Sequence, residues 1–258
     1  VRAVSTGEAD IGISVCEVIP ESLRSFPYHE DRLVAIVPEN HPFADRARVD
    51  FKELLVSPND MRKRLIALIS KEIKNKEQGK EAYILAKVNH ITDRALIEKL
   101  YEASTAGVQV ELVVRGNCSL VTGIAGISEN IHVRSIVGEF LEHSRIFYFH
   151  NGGNEEIFMG SADWMPRNLD KRVEILFPVE DDALKAEVIH ILDIQLADNE
   201  KARILQKNGT YRRAAKGGHA KLNSQKYFCE EAKRAQKERK KQNKNTHTFE
   251  PLHSVPEE

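Results

Sequence analysis

Three groups of residues in this sequence have the types and spacing to do chemistry. His143 and Arg145 form an H-x-R pair. At the entry to a strand, period-two geometry puts both side chains on one face. A histidine held beside a cation and aimed at a phosphate can act as nucleophile or general acid. The guanidinium can neutralise charge developing on a phosphoryl group. The plain alternative is a satisfied structural histidine beside an exposed arginine.

The second group is Arg115-Gly116, just past an apolar run at 108–114, with Gly123 and Gly126 in the loop that follows. Ligands of parallel sheets gather at strand carboxyl ends. A glycine-bearing loop there lets backbone approach a phosphate. An arginine at such a place is also an ordinary surface residue. The third group is Gly160-Ser161-Ala162-Asp163, followed by Arg167, Asn168, Arg172 and Glu174. Small then polar residues at a strand end fit a site rim. A helix cap by Ser161 or Asp163 with a surface salt-bridge cluster fits equally well. Trp164 and Met165 read as core.

The elements that must position these groups come from periodicity. Ser57-Pro58 reads as an N-cap with Pro at the first helical position and Asp60 in an acidic first turn. Met61, Leu65, Leu68, Ile69 and Ile73 then share a helical face. Residues 82–88 read as a buried strand. A helix follows, capped by Thr92 or Asp93, with Leu96, Ile97, Leu100 and Tyr101 inward and Gly107 just past its end. Residues 108–114 form the next strand, so this unit should be parallel and right-handed. Further strands are expected at 145–149, 157–160 and 173–177. A helix at 182–197 carries Leu184, Val188, Ile191 and Leu192 on one side.

Upstream, residues 9–15 and 32–37 read as two strands, closed by Pro38 and His41-Pro42. Downstream, residues 213–258 are polar and basic, and the Lys-rich run 233–244 reads as a solvated helix or disordered tail. An attractor of polyanions is the sharper reading of that run. The chain of 258 residues has 41% hydrophobic and 30% charged residues and a net charge of −1. That suits a soluble globular protein and gives no whole-chain electrostatic case for nucleic acid or membrane binding. Cys16, Cys118 and Cys229 are far apart and odd in number, so neither a disulfide framework nor a zinc site is supported. A reducing compartment is the simplest reading. No apolar run approaches the ~18 residues of a membrane span. The start at Val1, inside what reads as a structural element, predicts a fragment or a truncated gene model.

The order H-x-R, then G-S-x-D, then a downstream Glu resembles the H-x-K…G-S-x-N pattern of the phospholipase D superfamily, with Arg145 in place of Lys and Asp163 in place of Asn. That superfamily joins two similar lobes, each giving a histidine to one site. Longer words go further. Val-Arg-Gly-Asn-Cys at 114–118, Ser-Glu-Asn-Ile at 128–131, Val-Arg-Ser-Ile-Val-Gly at 133–138, Phe-Leu-Glu-His-Ser-Arg-Ile at 140–146, Ser-Ala-Asp-Trp-Met-Pro-Arg-Asn-Leu at 161–169 and Gln-Leu-Ala-Asp-Asn at 195–199 occur in that order. Together they resemble the C-terminal catalytic domain of polyphosphate kinase, the family with a phosphohistidine intermediate. The expected fold is therefore α/β: a phospholipase D-like lobe at 54–212 with a mixed, largely parallel sheet flanked by helices.

The resemblance implies reversible transfer of the terminal phosphate of ATP to polyphosphate, giving ADP, with Mg²⁺. It implies that Arg115 binds ATP phosphates and that His143 is the family's second histidine, contacting nucleotide phosphates and assisting transfer. Arg145, Ser161, Asp163, Arg167 and Arg172 are secondary candidates. It places the phosphorylated histidine, a tyrosine near the nucleotide and the Mg²⁺-associated arginines in a preceding domain, so no metal ligand is expected in this stretch. Glu139 stands where the family usually has Arg, and Val121-Thr122 replaces a common Arg-Pro, which softens a basic lining. A cytoplasmic location follows, with peripheral membrane attachment and homo-oligomerisation both compatible.

Residues 7–13 (Gly-Glu-Ala-Asp-Ile-Gly-Ile) and 31–44 (Asp-Arg-Leu-Val-Ala-Ile-Val-Pro-Glu-Asn-His-Pro-Phe-Ala) resemble part of the effector-binding domain of LysR-type transcription regulators, over 1–53. No DNA-binding domain accompanies them. The expectation is an incomplete polyphosphate kinase, inactive alone. A non-catalytic ATP- and polyphosphate-binding module is the alternative, and a regulator fragment the weaker one.

Overall fold

The computed structural model describes residues 55–215, 218 and 220–245. The strands expected at 9–15 and 32–37, and the LysR-like stretch around them, lie outside the described residues. The described elements are, in order, β1 (Leu55–Ser57), α1 (Met61–Glu77), β2 (Tyr83–Val88), α2 (Arg94–Thr105), β3 (Gln109–Val114), β4 (Ile131–Ser135), β5 (Arg145–Phe149), a 3₁₀ turn (Asn151–Gly153), β6 (Glu156–Gly160), α3 (Pro166–Asp170), β7 (Glu174–Pro178), α4 (Asp182–Ala197), β8 (Arg203–Leu205), β9 (Tyr211–Arg213) and α5 (Ser224–Asn245).

The strands form one sheet in the order β1-β7-β6-β5-β2-β3-β4-β8-β9. The α/β class and the mixed sheet match the expectation. The parallel share is smaller than expected: β2–β3 and β3–β4 are parallel, and the other six pairings are antiparallel. Short connections account for two of the six. Residues 150–155 join β5 to β6 and residues 206–210 join β8 to β9, and so short a link can only join antiparallel neighbours.

Strand alternation sorts the core into two faces. Ile84, Ala86 and Val88 of β2 face α1 and α2, where Leu65, Ile69, Leu96 and Leu100 close the main core. Leu85 faces the other way, onto Val188 and Leu192 of α4. Leu184, expected on the inner side of α4, is 43% exposed. It sits in the first turn, beyond the sheet's cover.

Helix ends follow their sequence signals in part. Asp93 caps α2, accepting from Leu96 N at 3.1 Å. Gly107 follows with φ +87°, a conformation that Cβ-bearing residues resist. Ser57 is not the N-cap of α1. It is the last residue of β1, and its hydroxyl reaches the carbonyls of Asn168 and Arg172, both at 2.7 Å. That hydroxyl also accepts from Glu174 N at 3.2 Å, so Ser57 ties β1 to α3 and β7 rather than capping α1. The lobe's packing also runs past residue 212, because Asn223, Ser224 and Gln225 are all buried. No described helix is long and apolar enough to cross a membrane.

Candidate functional site

The site is built on the carboxyl ends of β2 and β3. Asn89 follows β2 and Arg115 follows β3, and the two ends are tied by Arg115 N to Val88 O at 3.3 Å and Gly116 N to Asn89 O at 2.8 Å. Gly116 is needed for this approach. A Cβ at that position would lie 2.5 Å from His90 Cε1 and 3.1 Å from Asn89 O. His90 in turn accepts from Asn117 N through Nδ1 at 3.0 Å.

From Arg115 a continuous chain of polar contacts crosses the strand ends to His143. Arg115 Nε donates to Asn89 Oδ1 at 3.0 Å. Asn89 N donates to Asp163 Oδ1 at 2.7 Å. Asp163 also receives Arg145 as a fork, Nε to Oδ1 at 3.2 Å and Nη2 to Oδ2 at 3.1 Å. Arg145 Nη1 then donates to the His143 carbonyl at 3.1 Å and lies 3.4 Å from His143 Nδ1. A guanidinium has no lone pair to offer, so this last contact is attractive only when Nδ1 is the acceptor. The neutral ring then carries its proton on Nε2, and His143 itself is exposed.

Asp163 owes its place to Trp164. That ring is fully buried and stacks on Phe147 at 5.4 Å and 16°, as expected of a core residue. Its backbone is held by His90 O, Thr92 N and Asp93 N. Burial raises the Asp163 carboxyl, but the Arg145 guanidinium and the N–H groups of Asn89 and His90 outweigh it, so the group stays below the usual carboxylate range. Arg145 is thus a partner of Asp163 first, and its remaining Nη1 orients His143.

The opposite face of the sheet supports the same histidine. Lys87, 2% exposed, sends Nζ to Ser144 Oγ at 2.7 Å and to Glu142 Oε2 at 3.0 Å, the two neighbours of His143. Glu142 also accepts from Gln195 at 2.9 Å and Gln225 at 2.8 Å. Burial pushes the Lys87 ammonium below the ordinary lysine range, against the pull of Glu142, with Arg115 and Arg145 adding to the push.

The remaining candidates lie elsewhere. Ser161 donates to Glu174 Oε2, Asn168 Nδ2 donates to Glu174 Oε1 at 2.6 Å, and Arg172 stands 3.9 Å from that oxygen. This cluster stitches β6, α3 and β7 together. Arg167 is exposed on α3. Gly123 and Gly126, expected to cradle a phosphate near Arg115, do not. The loop must return to the amino end of the sheet because β4 runs parallel to β3, and Gly126 O accepts from Thr105 at the end of α2. The close-approach glycine is Gly116. Asn89, Lys87 and Glu142 were not among the sequence candidates. Only the position of Asn89, directly after a buried strand, could have suggested it. Among the described residues no three His, Cys, Asp or Glu side chains group to hold a metal ion. Asp163, the carboxylate at the site, is already taken up by Arg145 and Asn89. The residues present do not fit a divalent cation.

Two arginines, a shared carboxylate and an exposed imidazole, spread over adjacent strand ends, define an α/β lobe with a cationic strand-end site. The chain belongs to the polyphosphate kinase C-terminal domain 2 family, whose model matches residues 54–225. A second model, that of the LysR substrate binding domain, matches residues 1–65. The polyphosphate kinase of Bacillus anthracis is 51% identical over 175 residues, covering 68% of this chain and 25% of that protein. The polyphosphate kinase of Synechocystis is 54% identical over 162 residues, covering 63% and 22%. The crystal structure of polyphosphate kinase from Porphyromonas gingivalis superposes with a TM-score of 0.69 at 41% identity, over 75% of this chain and 29% of that one. The chain thus spans about a quarter of the length of the curated relatives it matches.

Proposed function

We propose that this lobe is one half of a phosphoryl-transfer site that moves the terminal phosphate of ATP to polyphosphate, reversibly, releasing ADP. The observation that carries this reading is the polar chain from Arg115 through Asn89, Asp163 and Arg145 to His143. It holds two cations and an imidazole at the carboxyl ends of parallel strands, where anionic ligands collect. Arg115, oriented by Asn89, binds phosphate oxygens as a planar fork. His143, with its proton on Nε2, donates to a bridging or leaving phosphate oxygen and assists the transfer. Arg145 and Asp163 position it.

In this reading the accepting histidine and any Mg²⁺ come from another part of a polyphosphate kinase, and the 258 residues alone do not turn over. The purified chain incubated with ATP and Mg²⁺ should make no polyphosphate. Added to the remaining domains of a polyphosphate kinase, it should restore synthesis, and His143→Ala should reduce that synthesis by roughly 10²–10⁴-fold. Synthesis by the chain alone, or full synthesis with the alanine variant, would refute the assignment.

A second reading is a binding module without turnover. It is favoured by the engagement of both Asp163 and His143 Nδ1 by Arg145, which leaves hydrogen-bond donors facing outward at the site. Binding of ATP without any restored synthesis would select it.

A further inference from the structure

Two strands beyond Arg115 the sheet carries a second cationic feature. Arg203 opens β8 and pairs across the sheet with Ser135, the last residue of β4. Ser135 Oγ in turn donates to the carbonyl of Arg115 at 3.3 Å. On its other side Arg203 is directly opposite Arg213, the last residue of β9. Directly opposed residues in antiparallel strands share a face, and like charges so placed are destabilising. Both side chains are exposed.

The two arginines border a groove made of two adjoining cavities, of about 260 and 410 Å³, which share Glu200 and Arg213. Lys201 and Val137 line the first and Lys221 the second. Four cations therefore face one carboxylate. Among the described residues no ion pair engages any of the four.

The walls are fixed from beneath. Asp198, 1% exposed, accepts from Glu200 N, Lys201 N and Ala202 N through Oδ1 at 3.1, 2.7 and 3.0 Å. Its Oδ2 accepts from Ser224 N and Oγ, both at 2.8 Å. Asn199 bridges to the segment bearing Lys221, donating to Ala220 O and accepting from Leu222 N, both at 2.9 Å. The cations thus project from a backbone that ligand binding need not reorganise, which lowers the cost of binding.

We infer that the groove of Lys201, Arg203, Arg213 and Lys221 is a second anion site, one that holds a linear inorganic phosphate chain whose end lies at Arg115. This rests on the reading of Arg115 as a phosphate ligand. Charge density and the paired guanidinium forks select phosphate oxygens. No aromatic side chain lines the groove among the described residues. Single-stranded nucleic acid sites rely on such stacking platforms, so an inorganic chain is favoured over an oligonucleotide. With strands about 4.8 Å apart, Arg203 and Arg213 stand roughly 10 and 14 Å from the strand of Arg115. A long chain reaches both places and gains avidity, whereas the triphosphate of one ATP reaches only the first.

The test is equilibrium binding of the full chain to ATP, to long-chain polyphosphate and to oligo-dT at fixed low salt. It compares wild type, Arg203→Ala/Arg213→Ala, Arg213→Glu and Arg115→Ala. Both groove arginines are exposed, and coincident thermal unfolding checks that the variants fold. The groove variants should weaken long-chain polyphosphate at least tenfold, with ATP unchanged, and Arg115→Ala should weaken both ligands. If the groove variants bind polyphosphate like wild type while Arg115→Ala loses ATP, the groove is refuted and the first site stands. If Arg115→Ala is silent and the groove variants are not, the groove holds phosphate but the reading of Arg115 fails. Oligo-dT bound more tightly than polyphosphate, with the same arginine dependence, would overturn the choice of ligand. No binding of polyphosphate by wild type would overturn the proposal outright.

Discussion

Lys87 and Glu142 meet 3.0 Å apart on the face of the sheet turned away from the main core, Nζ against Oε2. The pair joins β2 to the segment that carries His143, so a buried lysine and a nearly buried carboxylate set the height of an exposed imidazole. Removing one partner of a buried pair leaves the other uncompensated. Lys87→Met should destabilise the lobe by about 3 kcal/mol in urea unfolding, and Lys87→Met/Glu142→Gln should recover part of that loss. A single-variant loss below about 1 kcal/mol, the size typical of exposed pairs, would show that the contact does not fix the segment.

Asn89 and Arg115 offer a separation of geometry from charge. Asn89→Ala removes the acceptor that aims Arg115 but leaves the charge in place. Affinity for ATP should fall roughly three- to tenfold, the worth of one hydrogen bond near 1 kcal/mol, with the salt dependence of binding kept. Arg115→Ala should lower both affinity and salt dependence. Equal salt slopes in the two variants would mean that Arg115 is not a phosphate ligand.

Acid should act through Asp163 and Asp198. Burial raises both carboxyls. Arg145 with the Asn89 and His90 amides on one, and Ser224 with the Lys201 and Ala202 amides on the other, outweigh it and hold both groups below their ordinary range. Below about pH 3.9 the unfolded chain binds these protons first. The stability the two groups contribute is therefore complete above that pH and drains away as pH falls toward their folded values. Denaturant unfolding between pH 5 and pH 3 should show a steep loss for wild type and a shallower one for Asp198→Asn, which starts from lower stability. Parallel slopes would contradict the placement.

Gly160 makes a purely steric prediction. A Cβ there would meet Ile175 O at 2.0 Å, a backbone atom that cannot swing aside. Gly160→Ala should cost roughly 1–3 kcal/mol, the usual range for overpacking, and loosen β6 from β7. Gly153, where an added Cβ meets nothing within 4 Å, supplies the comparison: the same substitution there pays only for its positive φ. Thermal unfolding of the two variants side by side decides it.

Much of this architecture could be read from residue order alone, and the reasons are local. The inward faces of α1 and α2, the buried strand at 82–88, the cap at Thr92 or Asp93 and the Gly107 boundary depend on neighbours within one element. His143 beside Arg145 was legible for the same reason, since two residues apart on a strand entry they could hardly avoid one another. Asn89, Lys87 and Glu142 were not, because their roles exist only once β2 lies between β5 and β3, an order that no local signal encodes. The loop glycines were misplaced through the same gap. Without knowing that β4 runs parallel to β3, nothing says that the loop must travel the length of the sheet. β8 and β9 are too short for a periodic signal.

Gln225 stands at the start of α5 and is bonded three ways to the segment before β5. It donates to Phe140 O and to Glu142, and accepts from Phe140 N at 3.1 Å. Gly138 lies so close that a Cβ would come within 2.3 Å of its Oε1. The long basic helix is therefore stitched by its first turn to the stretch that presents His143, and His190 of α4 meets Glu231 further along it at 3.0 Å. The tail and the imidazole share one seam, so a substitution at Gln225 reaches both.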